Sequence, residues 1–153
     1  MKSKMVELIK DYNNWFNLDY EICYFFNVYG PRQIYEGEYS TVIAIFERQF
    51  LNNQKLTVVK PGTQSRDFTH VNDIVTGLIK ASEANLNHEW HLRSGINYSI
   101  IEVAEFFTKN WIFINERKGE RFTSEEFKSD TNKILDWMPK YTLKNWINNI
   151  KNE

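Results

Sequence analysis

Apolar side chains recur at helical spacing from the first residues of this chain. In the segment MKSKMVELIKDYNNWF, Met5, Leu8, Tyr12 and Trp15 lie three or four positions apart, which predicts an amphipathic helix. No capping box precedes it, because the residue three positions after Ser3 is neither an acid nor an amide. We therefore expect the chain to begin inside a helix.

The rest of the chain alternates between short apolar runs and helical periods, which predicts an α/β protein. Strands are predicted in YEICYFFNVYG, KLTVV, EWHLRS and WIFIN, with a further extended segment after the Pro-Gly turn. The first of these alternates poorly, as strands buried on both faces do. Helices are predicted in YSTVIAIFERQFLNN, VNDIVTGLIKASEAN, SIIEVAEFFTKN and two short segments at the end of the chain.

Two of the predicted helices have a recognisable start. Ser99 and Glu102 form a capping box ahead of an apolar-periodic segment, and Thr142 is the predicted N-cap of the last helix. Both signals are local, so we expect them to hold in the folded chain.

The helix predicted in VNDIVTGLIKASEAN places Ile74, Leu78 and Ile79 on one face, which we expect to be its buried face. Asp67 and Asp73 are interpreted as a turn residue and a helix-start residue, rather than as catalytic acids. Both interpretations depend on local sequence alone.

Composition is that of one ordinary domain, and we treat residues 1–153 as a single partial domain. Hydrophobic residues make up 42% of the chain and charged residues 25%, which argues against disorder. The net charge of -1 gives no reason to propose nucleic acid or an anionic membrane as a partner.

No apolar run is long enough to span a membrane, so we expect a soluble, cytoplasmic protein. Cys23 lies in an apolar run and is expected to be a buried thiol.

Aromatic and histidine residues favour structural over chemical roles. The tryptophans are interpreted as core and helix-packing residues, because no basic stripe accompanies them: Trp15, Trp90, Trp111, Trp137 and Trp146. His88 and His91 would lie on opposite faces of a strand, without a third ligand nearby. No metal site is predicted.

Three motifs occur together in the order and rough spacing of one known family. They are FFNVYGPRQ (25–33), GTQSRDFTHVNDIV (62–75) and RKGE (117–120). The chain resembles the NAD-dependent epimerase/dehydratase family, the extended short-chain dehydrogenases that act on nucleotide-diphosphate sugars and include UDP-galactose 4-epimerase. The resemblance is to the C-terminal half of that family. It implies the C-terminal part of a Rossmann-type fold, with a late sheet strand, helices and a small mixed substrate-binding subdomain, and without the N-terminal dinucleotide-binding portion.

The resemblance implies a set of substrate-binding residues. Asn27 matches the family asparagine that contacts the diphosphate of the sugar nucleotide, and Arg66 matches an arginine that binds a substrate phosphate. Arg117 matches a second phosphate-binding arginine, and Glu120 the acid that bonds the nucleotide ribose. The segment STVIAIF corresponds to the stretch that lines the base pocket. Without a pocket, Arg66 and Arg117 would be ordinary surface ion-pair residues.

The resemblance also bears on catalysis. MKSK fits the last four positions of the family's Tyr-x-x-x-Lys, in which the lysine holds the nicotinamide ribose and lowers the tyrosine's pKa. Lys4 would be that catalytic and cofactor-binding lysine, with the tyrosine falling just before Met1. The competing interpretation, which we favour for this chain alone, is a solvated lysine at a helix end. Phe25 and Phe26 would border the nicotinamide.

NAD is the cofactor of the family, yet the chain lacks the family's glycine fingerprint. Its glycines stand at positions 30, 37, 62, 77, 95 and 119, and no three have the close spacing that brings backbone amides to a pyrophosphate. We therefore expect this chain alone not to bind NAD in the family's manner. Tyr24 also departs from the arginine common before the YFN of the family.

Three hypotheses follow from these matches. The first is a C-terminal fragment of a nucleotide-sugar epimerase or dehydratase that is inactive alone. The second is a partner subunit, which assembles with a separate N-terminal Rossmann half or as a homodimer, because its strand would lack neighbours and expose apolar surface. The third is a standalone nucleotide-sugar-binding module.

Overall fold

The computed structural model describes residues 2–116 and 129–152, whose helices and strands alternate along the chain. The helices are α1 (Lys2–Phe16), α2 (Val42–Leu51), α3 (Val71–Ala84), α4 (Ile100–Phe107), α5 (Thr131–Ile134) and α6 (Leu143–Asn152). The strands are β1 (Ile22–Phe25), β2 (Asn27–Tyr29), β3 (Leu56–Val59), β4 (Ser65–His70), β5 (Glu89–Leu92), β6 (Asn97–Ser99) and β7 (Trp111–Ile114). Within the described ranges, no helix has the length and apolar character needed to cross a membrane.

The strands pair in three small groups, and most of the pairs are parallel. β1 pairs with β5 and β3 pairs with β7, both parallel. β4 lies between β2, its parallel neighbour, and β6, its antiparallel neighbour. Helices connect the parallel strands, as the crossover geometry of parallel pairs requires. The predicted α/β class is confirmed.

The run YEICYFFNVYG forms two strands rather than one. It divides at Phe26: β1 pairs with β5, whereas β2 pairs with β4. The prediction that the run is buried on both faces is wrong for β1, since Phe25 is 50% exposed. Only one neighbouring strand lies beside β1 in the described chain. In β2, by contrast, Tyr29 is fully buried.

The main core forms where α2, α4 and α6 pack against β3 and β4. Its largest buried members are aromatic and branched aliphatic side chains: Tyr29, Ile43, Phe46, Leu56, Phe68, Val103, Phe107, Leu143 and Ile147. A second cluster surrounds Trp90 and Trp137 between α3 and β5. The packing role predicted for these two tryptophans is confirmed.

The buried face of α3 differs from the predicted one. Leu78 and Ile79 are exposed, and the residues that point inward are Asp73, Ile74, Gly77 and Ala81. Gly77 allows the close approach, because a Cβ at this position would lie 2.7 Å from Cδ2 of Leu92. A small residue at the contact brings the helix onto the β5 side chains, which turns the larger apolar residues outward.

Helix α1 buries none of its side chains. Its apolar stripe faces outward, and the large exposed members are Met5, Leu8, Tyr12, Trp15 and Phe16. The helix itself is as predicted, but the packing role predicted for Trp15 is wrong, since this side chain is 64% exposed. Lys10 donates to Glu89 and so links α1 to β5.

Both predicted helix starts are confirmed. Oγ of Ser99 accepts the backbone N–H of Glu102 (3.2 Å), and Oε2 of Glu102 accepts the backbone N–H of Ser99 (2.7 Å), which completes the capping box. Oγ1 of Thr142 accepts the backbone N–H of Asn145 (3.3 Å) at the start of α6.

Candidate functional site

Asn27 and Arg66 line the same cavity, although they are 39 positions apart in the chain. The cavity has a volume of about 210 Å³ and is lined by Asn27, Ser40, Val42, Ile45, Phe46, Thr57, Val59, Gln64, Arg66 and Ile100. Two of the residues assigned by resemblance are therefore brought together by the fold.

Strand pairing explains why these two side chains meet. β2 runs parallel to β4, with Asn27 opposite Phe68 in the register. Nδ2 of Asn27 donates to the backbone oxygen of Asp67 at 3.0 Å, which holds the amide at the β4 edge of the cavity. Nη1 of Arg66 donates to the backbone oxygen of Ser65 at 2.8 Å. The two motifs are thus joined through one parallel strand pair.

The segment STVIAIF contributes the start of α2 to the cavity wall. Thr41 caps the helix by accepting the N–H of Ala44, and the helix begins at Val42. Ser40, Val42 and Ile45 line the cavity beside the polar residues from β2 and β4. An apolar wall next to donor side chains can accommodate the flat face of a ring while polar groups bind its substituents.

Gln64 is a cavity residue that the sequence reasoning missed. It is 2% exposed, and its Nε2 donates to the backbone oxygen of Val59 at 3.1 Å. Its Oε1 is buried and accepts no hydrogen bond from the described residues. A glutamine two positions before Arg66, inside a matched motif, was the available signal.

The described residues Lys4, Phe25 and Phe26, also assigned by resemblance, do not line this cavity. Arg117 and Glu120 lie outside the described residues. Lys4 is exposed on α1. Phe25 ends β1 and is half exposed, while the ring of Phe26 lies 5.0 Å from the guanidinium carbon of Arg93.

Asp67 is a buried strand residue, so its interpretation as a turn residue is wrong. Its Oδ2 accepts Nε of Arg93 at 2.9 Å and the backbone N–H of Gly95 at 2.8 Å. Its Oδ1 accepts the backbone N–H (3.0 Å) and the hydroxyl (2.7 Å) of Ser94, and the hydroxyl of Thr69 (3.3 Å). The carboxylate therefore ties the loop after β5 to the strand that carries Arg66. Local sequence could not show partners that lie 26 to 28 positions away.

Asp73 lies in the first turn of α3, whose N-cap is His70, and it has a second role. Its two carboxylate oxygens accept the backbone N–H groups of Lys140 (2.9 Å) and Tyr141 (3.0 Å). The residue is 2% exposed, so these bonds compensate the burial of its charge. Asp73 thus fixes the segment that leads into α6.

Tyr24 forms a link between β1, β5 and α1. Its hydroxyl donates to Oε2 of Glu89 at 2.5 Å, and its ring stacks on His91. The hydrogen bond to Glu89 is the main reason that the pKa of Tyr24 rises to about 12. Lys10 and Tyr24 together lower the pKa of Glu89. The Tyr24 hydroxyl and the Lys10 ammonium group thus meet on the same Glu89 carboxylate.

Cysteine and histidine side chains near β5 show no metal-binding arrangement. Burial raises the pKa of the half-buried Cys23 thiol, which therefore stays protonated at neutral pH. Nε2 of His88 lies 3.7 Å from Oδ1 of Asp130, and His91 stacks on Tyr24. Among the described residues, no three metal-ligating side chains come together.

Comparisons with known proteins agree on one family. A family model described as the NAD dependent epimerase/dehydratase family matches residues 1–92. UDP-glucuronic acid decarboxylase 3 of Arabidopsis thaliana is 33% identical over 144 residues, which cover 90% of this chain and 41% of that protein. A putative UDP-glucose 4-epimerase of Methanocaldococcus jannaschii is 31% identical over 154 residues, which cover 95% of this chain and 49% of that protein.

Structural similarity extends over nearly the whole chain. The crystal structure of UDP-glucose 4-epimerase with UDP-glucose from Thermotoga maritima superposes with a TM-score of 0.85 at 25% identity. The match covers 95% of this chain and 49% of that one. The chain spans about half the length of the curated relatives that it matches. The fold, the motifs and the family model together show that this chain belongs to the NAD dependent epimerase/dehydratase family.

Proposed function

We propose that this chain forms the substrate-binding half of a nucleotide-sugar epimerase or dehydratase, and that it binds a nucleotide-diphosphate sugar between Asn27 and Arg66. The observation that carries the proposal is the shared cavity of these two residues, which come from separate motifs and separate strands. The names of the similar proteins, UDP-glucuronic acid decarboxylase and UDP-glucose 4-epimerase, support a UDP-sugar as the ligand class.

The chemistry of the cavity suits a diphosphate joined to a ring system. The planar guanidinium of Arg66 can donate two charge-assisted hydrogen bonds to phosphate oxygens. The Nδ2 of Asn27 uses one of its two hydrogens on the Asp67 carbonyl, and the amide can donate the other to a phosphate. The apolar start of α2 then provides a wall for the base. Arg117 and Glu120 remain predicted contacts to the second phosphate and the ribose.

We propose that this chain alone does not turn over a nucleotide sugar. The family's chemistry needs NAD, and the six glycines of this sequence lack the spacing that would bind its pyrophosphate. Lys4, the counterpart of the family's catalytic lysine, is an exposed residue of α1 that makes no hydrogen bond or ion pair with the described residues. We therefore assign the chain a binding role and derive no catalytic step from it.

Isothermal titration calorimetry with UDP-glucose tests the binding role directly. We expect saturable binding by the wild-type chain, and at least about tenfold weaker binding after Arg66→Ala, because one charged partner of the diphosphate is lost. Arg48→Ala is the matched control, since Arg48 is an exposed arginine on α2 paired with Glu36. Absence of heat with the wild-type chain, or equal affinity of the Arg66 and Arg48 variants, would contradict the proposal.

The proposed lack of turnover has its own test. The purified chain, incubated with NAD and UDP-glucose, should leave the sugar unchanged in a chromatographic assay. It should also show no saturable NAD binding at micromolar concentrations. Conversion of the sugar, or micromolar affinity for NAD, would refute this part of the proposal. The proposed binding of UDP-glucose would be unaffected by either result.

The apolar stripe of α1 favours a second candidate function, in which the chain is one subunit of a two-part enzyme. Five large apolar side chains of α1 are 44–69% exposed, and Leu18 beyond the helix is 53% exposed. Tyr12, Trp15 and Phe16 contact one another, so they form one continuous patch. Exposed patches of this kind mark interaction surfaces in soluble proteins.

Sedimentation velocity distinguishes the two candidates. A subunit whose stripe contacts a Rossmann half or a second copy should self-associate when it is alone, and Trp15→Glu should shift it toward the monomer. Lys2→Glu, on the same helix, is the control for charge. A stable monomer over the accessible concentration range would rule out the homodimer and count against the two-part enzyme.

A further inference from the structure

A connection of twelve residues, 30–41, joins two parts of the lining of the candidate nucleotide-sugar cavity. It follows β2 and precedes α2, and it contains neither a helix nor a strand. Asn27 of β2 lines the cavity before this connection, and Ser40 and Val42 line it at the far end. Connections of this length without regular structure are uncommon in compact domains, and many of them serve binding. The way in which the 30–41 connection is held therefore bears on the shape of the cavity.

Glu47 holds this connection from within α2. Its Oε2 accepts Nε2 of Gln33 at 2.6 Å, and its Oε1 accepts the hydroxyl of Tyr35 at 2.8 Å. The residue is 6% exposed, and each of its carboxylate oxygens has a donor. Hydrogen bonds to a carboxylate are among the strongest in proteins, and two of them compensate the burial of the group. These three residues form the Glu47 clasp, which fixes the connection to the helix.

Gln33 extends the clasp to the start of α2. Its Oε1 accepts the hydroxyl of Thr41 at 3.4 Å, while its Nε2 donates to Glu47. Thr41 is the N-cap of α2 and stands in the chain between Ser40 and Val42, which both line the cavity. The amide of Gln33 thus joins the buried carboxylate to the segment that begins the α2 wall.

The three clasp residues do not line the cavity themselves. A substitution in the clasp can therefore affect a ligand only through the position of the connection and of Ser40. An ion pair between Glu36 and Arg48 also joins the connection to α2 at 3.6 Å, but its side chains are 82% and 37% exposed. Exposed pairs of this kind contribute little to stability, so the Glu47 clasp is the main hold on the connection.

We propose that Glu47 is a positioning residue of the nucleotide-sugar cavity, which acts through Gln33 and Tyr35 on the 30–41 connection. This inference rests on the proposed function, because it assigns to the clasp the task of holding the cavity wall in the shape that the ligand requires. Ordering a loose loop during binding costs conformational entropy, and a loop that is already fixed avoids that cost. The clasp therefore raises affinity without touching the nucleotide sugar.

Calorimetry with UDP-glucose tests the role of the clasp in binding. Glu47→Leu removes both acceptor oxygens at similar size and should weaken binding at least about fivefold. Glu47→Gln should stay within about twofold of the wild type, because the new amide can accept from Tyr35 and donate to a reoriented Gln33 amide. Glu105→Leu, on the exposed face of α4, is the matched control and should leave the affinity unchanged.

Gln33→Leu separates positioning from a general loss of stability. It removes the same contact from the other side, so it should weaken UDP-glucose binding, and adding it to Glu47→Leu should cause no further loss. Gly77→Ala crowds Leu92 in the second cluster, away from the residues that line the cavity, and should leave the affinity unchanged. Unchanged affinity of Glu47→Leu, or an equal loss of affinity in Gly77→Ala, would overturn the inference.

Limited digestion with trypsin tests the clasp without any ligand. The exposed Arg32 directly precedes Gln33, so release of the connection should speed cleavage after Arg32 about tenfold in Glu47→Leu, but not in Glu47→Gln. Equal cleavage rates of the wild type and Glu47→Leu would overturn the inference even if UDP-glucose binds. Absence of UDP-glucose binding by the wild-type chain would instead refute the proposed function, and with it the binding role of the clasp. The cleavage rates would then still show whether Glu47 holds the connection.

Discussion

Replacement of Asp67 by asparagine should destabilise the chain, because it removes one charge of a buried ion pair. Asp67 is completely buried, and the Arg93 side chain paired with it is only 13% exposed. Asparagine has nearly the same shape, so the substitution leaves no cavity and isolates the electrostatic effect. One carboxylate oxygen becomes an NH₂ group.

The magnitude follows from the partners of that oxygen. With the new amide oxygen accepting the hydrogen bonds from Ser94, the NH₂ group faces Nε of Arg93 and the backbone N–H of Gly95. All of these groups are donors, so no hydrogen bond forms between them. Removing one member of a buried ion pair costs about 3–5 kcal/mol, because the other charge stays buried without compensation. For a chain of this size, 1 kcal/mol corresponds to about 2–4 °C in Tm. The Tm of Asp67→Asn should fall by about 6–20 °C.

Urea unfolding followed by tryptophan fluorescence measures this loss, because Trp90 and Trp137 are buried in the native state. Asp11→Asn on exposed α1 is the control and should change the free energy of unfolding by less than about 0.5 kcal/mol. Adding Arg93→Met to Asp67→Asn should recover part of the loss, since neither charge of this pair then remains buried. A loss below about 1 kcal/mol for Asp67→Asn would refute the reasoning about the buried pair.

Three other substitutions test separate parts of the fold by the same urea unfolding. Gly77→Ala should lower the free energy of unfolding by about 1–3 kcal/mol, because its Cβ would lie 2.7 Å from the buried Leu92; unchanged stability would mean that Leu92 repacks freely. Ser99→Ala should cost about 1 kcal/mol through loss of the capping box, and no loss would show that α4 is held by packing alone. Hydrogen bonds from Ser99 lower the pKa of Glu102 below its ordinary value. The ionised Glu102 carboxylate therefore stabilises the folded chain above the pKa of about 4.3 that it has in the unfolded chain. This stabilisation is lost as the pH falls through its lower pKa in the folded chain. Glu102→Gln should make the acid decline of stability shallower, and an identical decline in both proteins would contradict this.

Features set by neighbours in the sequence could be predicted from the sequence. The capping box of α4 and the Thr142 cap of α6 need only residues three positions apart, and both are present. The helical period of α1 likewise predicts the helix. The spacing of apolar residues shows which side chains share one face of a helix, but not whether another element covers that face. Trp15 is therefore on the predicted stripe and still exposed.

Features set by contacts across the chain could not be predicted in this way. Local sequence favours a turn role for Asp67, and only the fold brings Arg93 and Ser94 to it. The inward side of α3 depends on Gly77, since the close approach to β5 decides which residues are buried. Gln64 was missed for the same reason, because the cavity that it lines is assembled from several separate elements, among them β2, α2, β3 and β4.

The candidate site itself required both kinds of information. Resemblance to a family assigned roles to Asn27 and Arg66, but the motifs alone did not show that the two residues meet. The parallel pairing of β2 with β4 joins them, and the bond from Asn27 to the Asp67 carbonyl lies within that pair. This pairing and the α2 wall consist of described residues of this chain and include no residue of α1. We therefore propose that binding of a nucleotide sugar and the chemistry that the resemblance implies for Lys4 are separable properties. A chain that binds UDP-glucose without converting it is the outcome that this arrangement predicts.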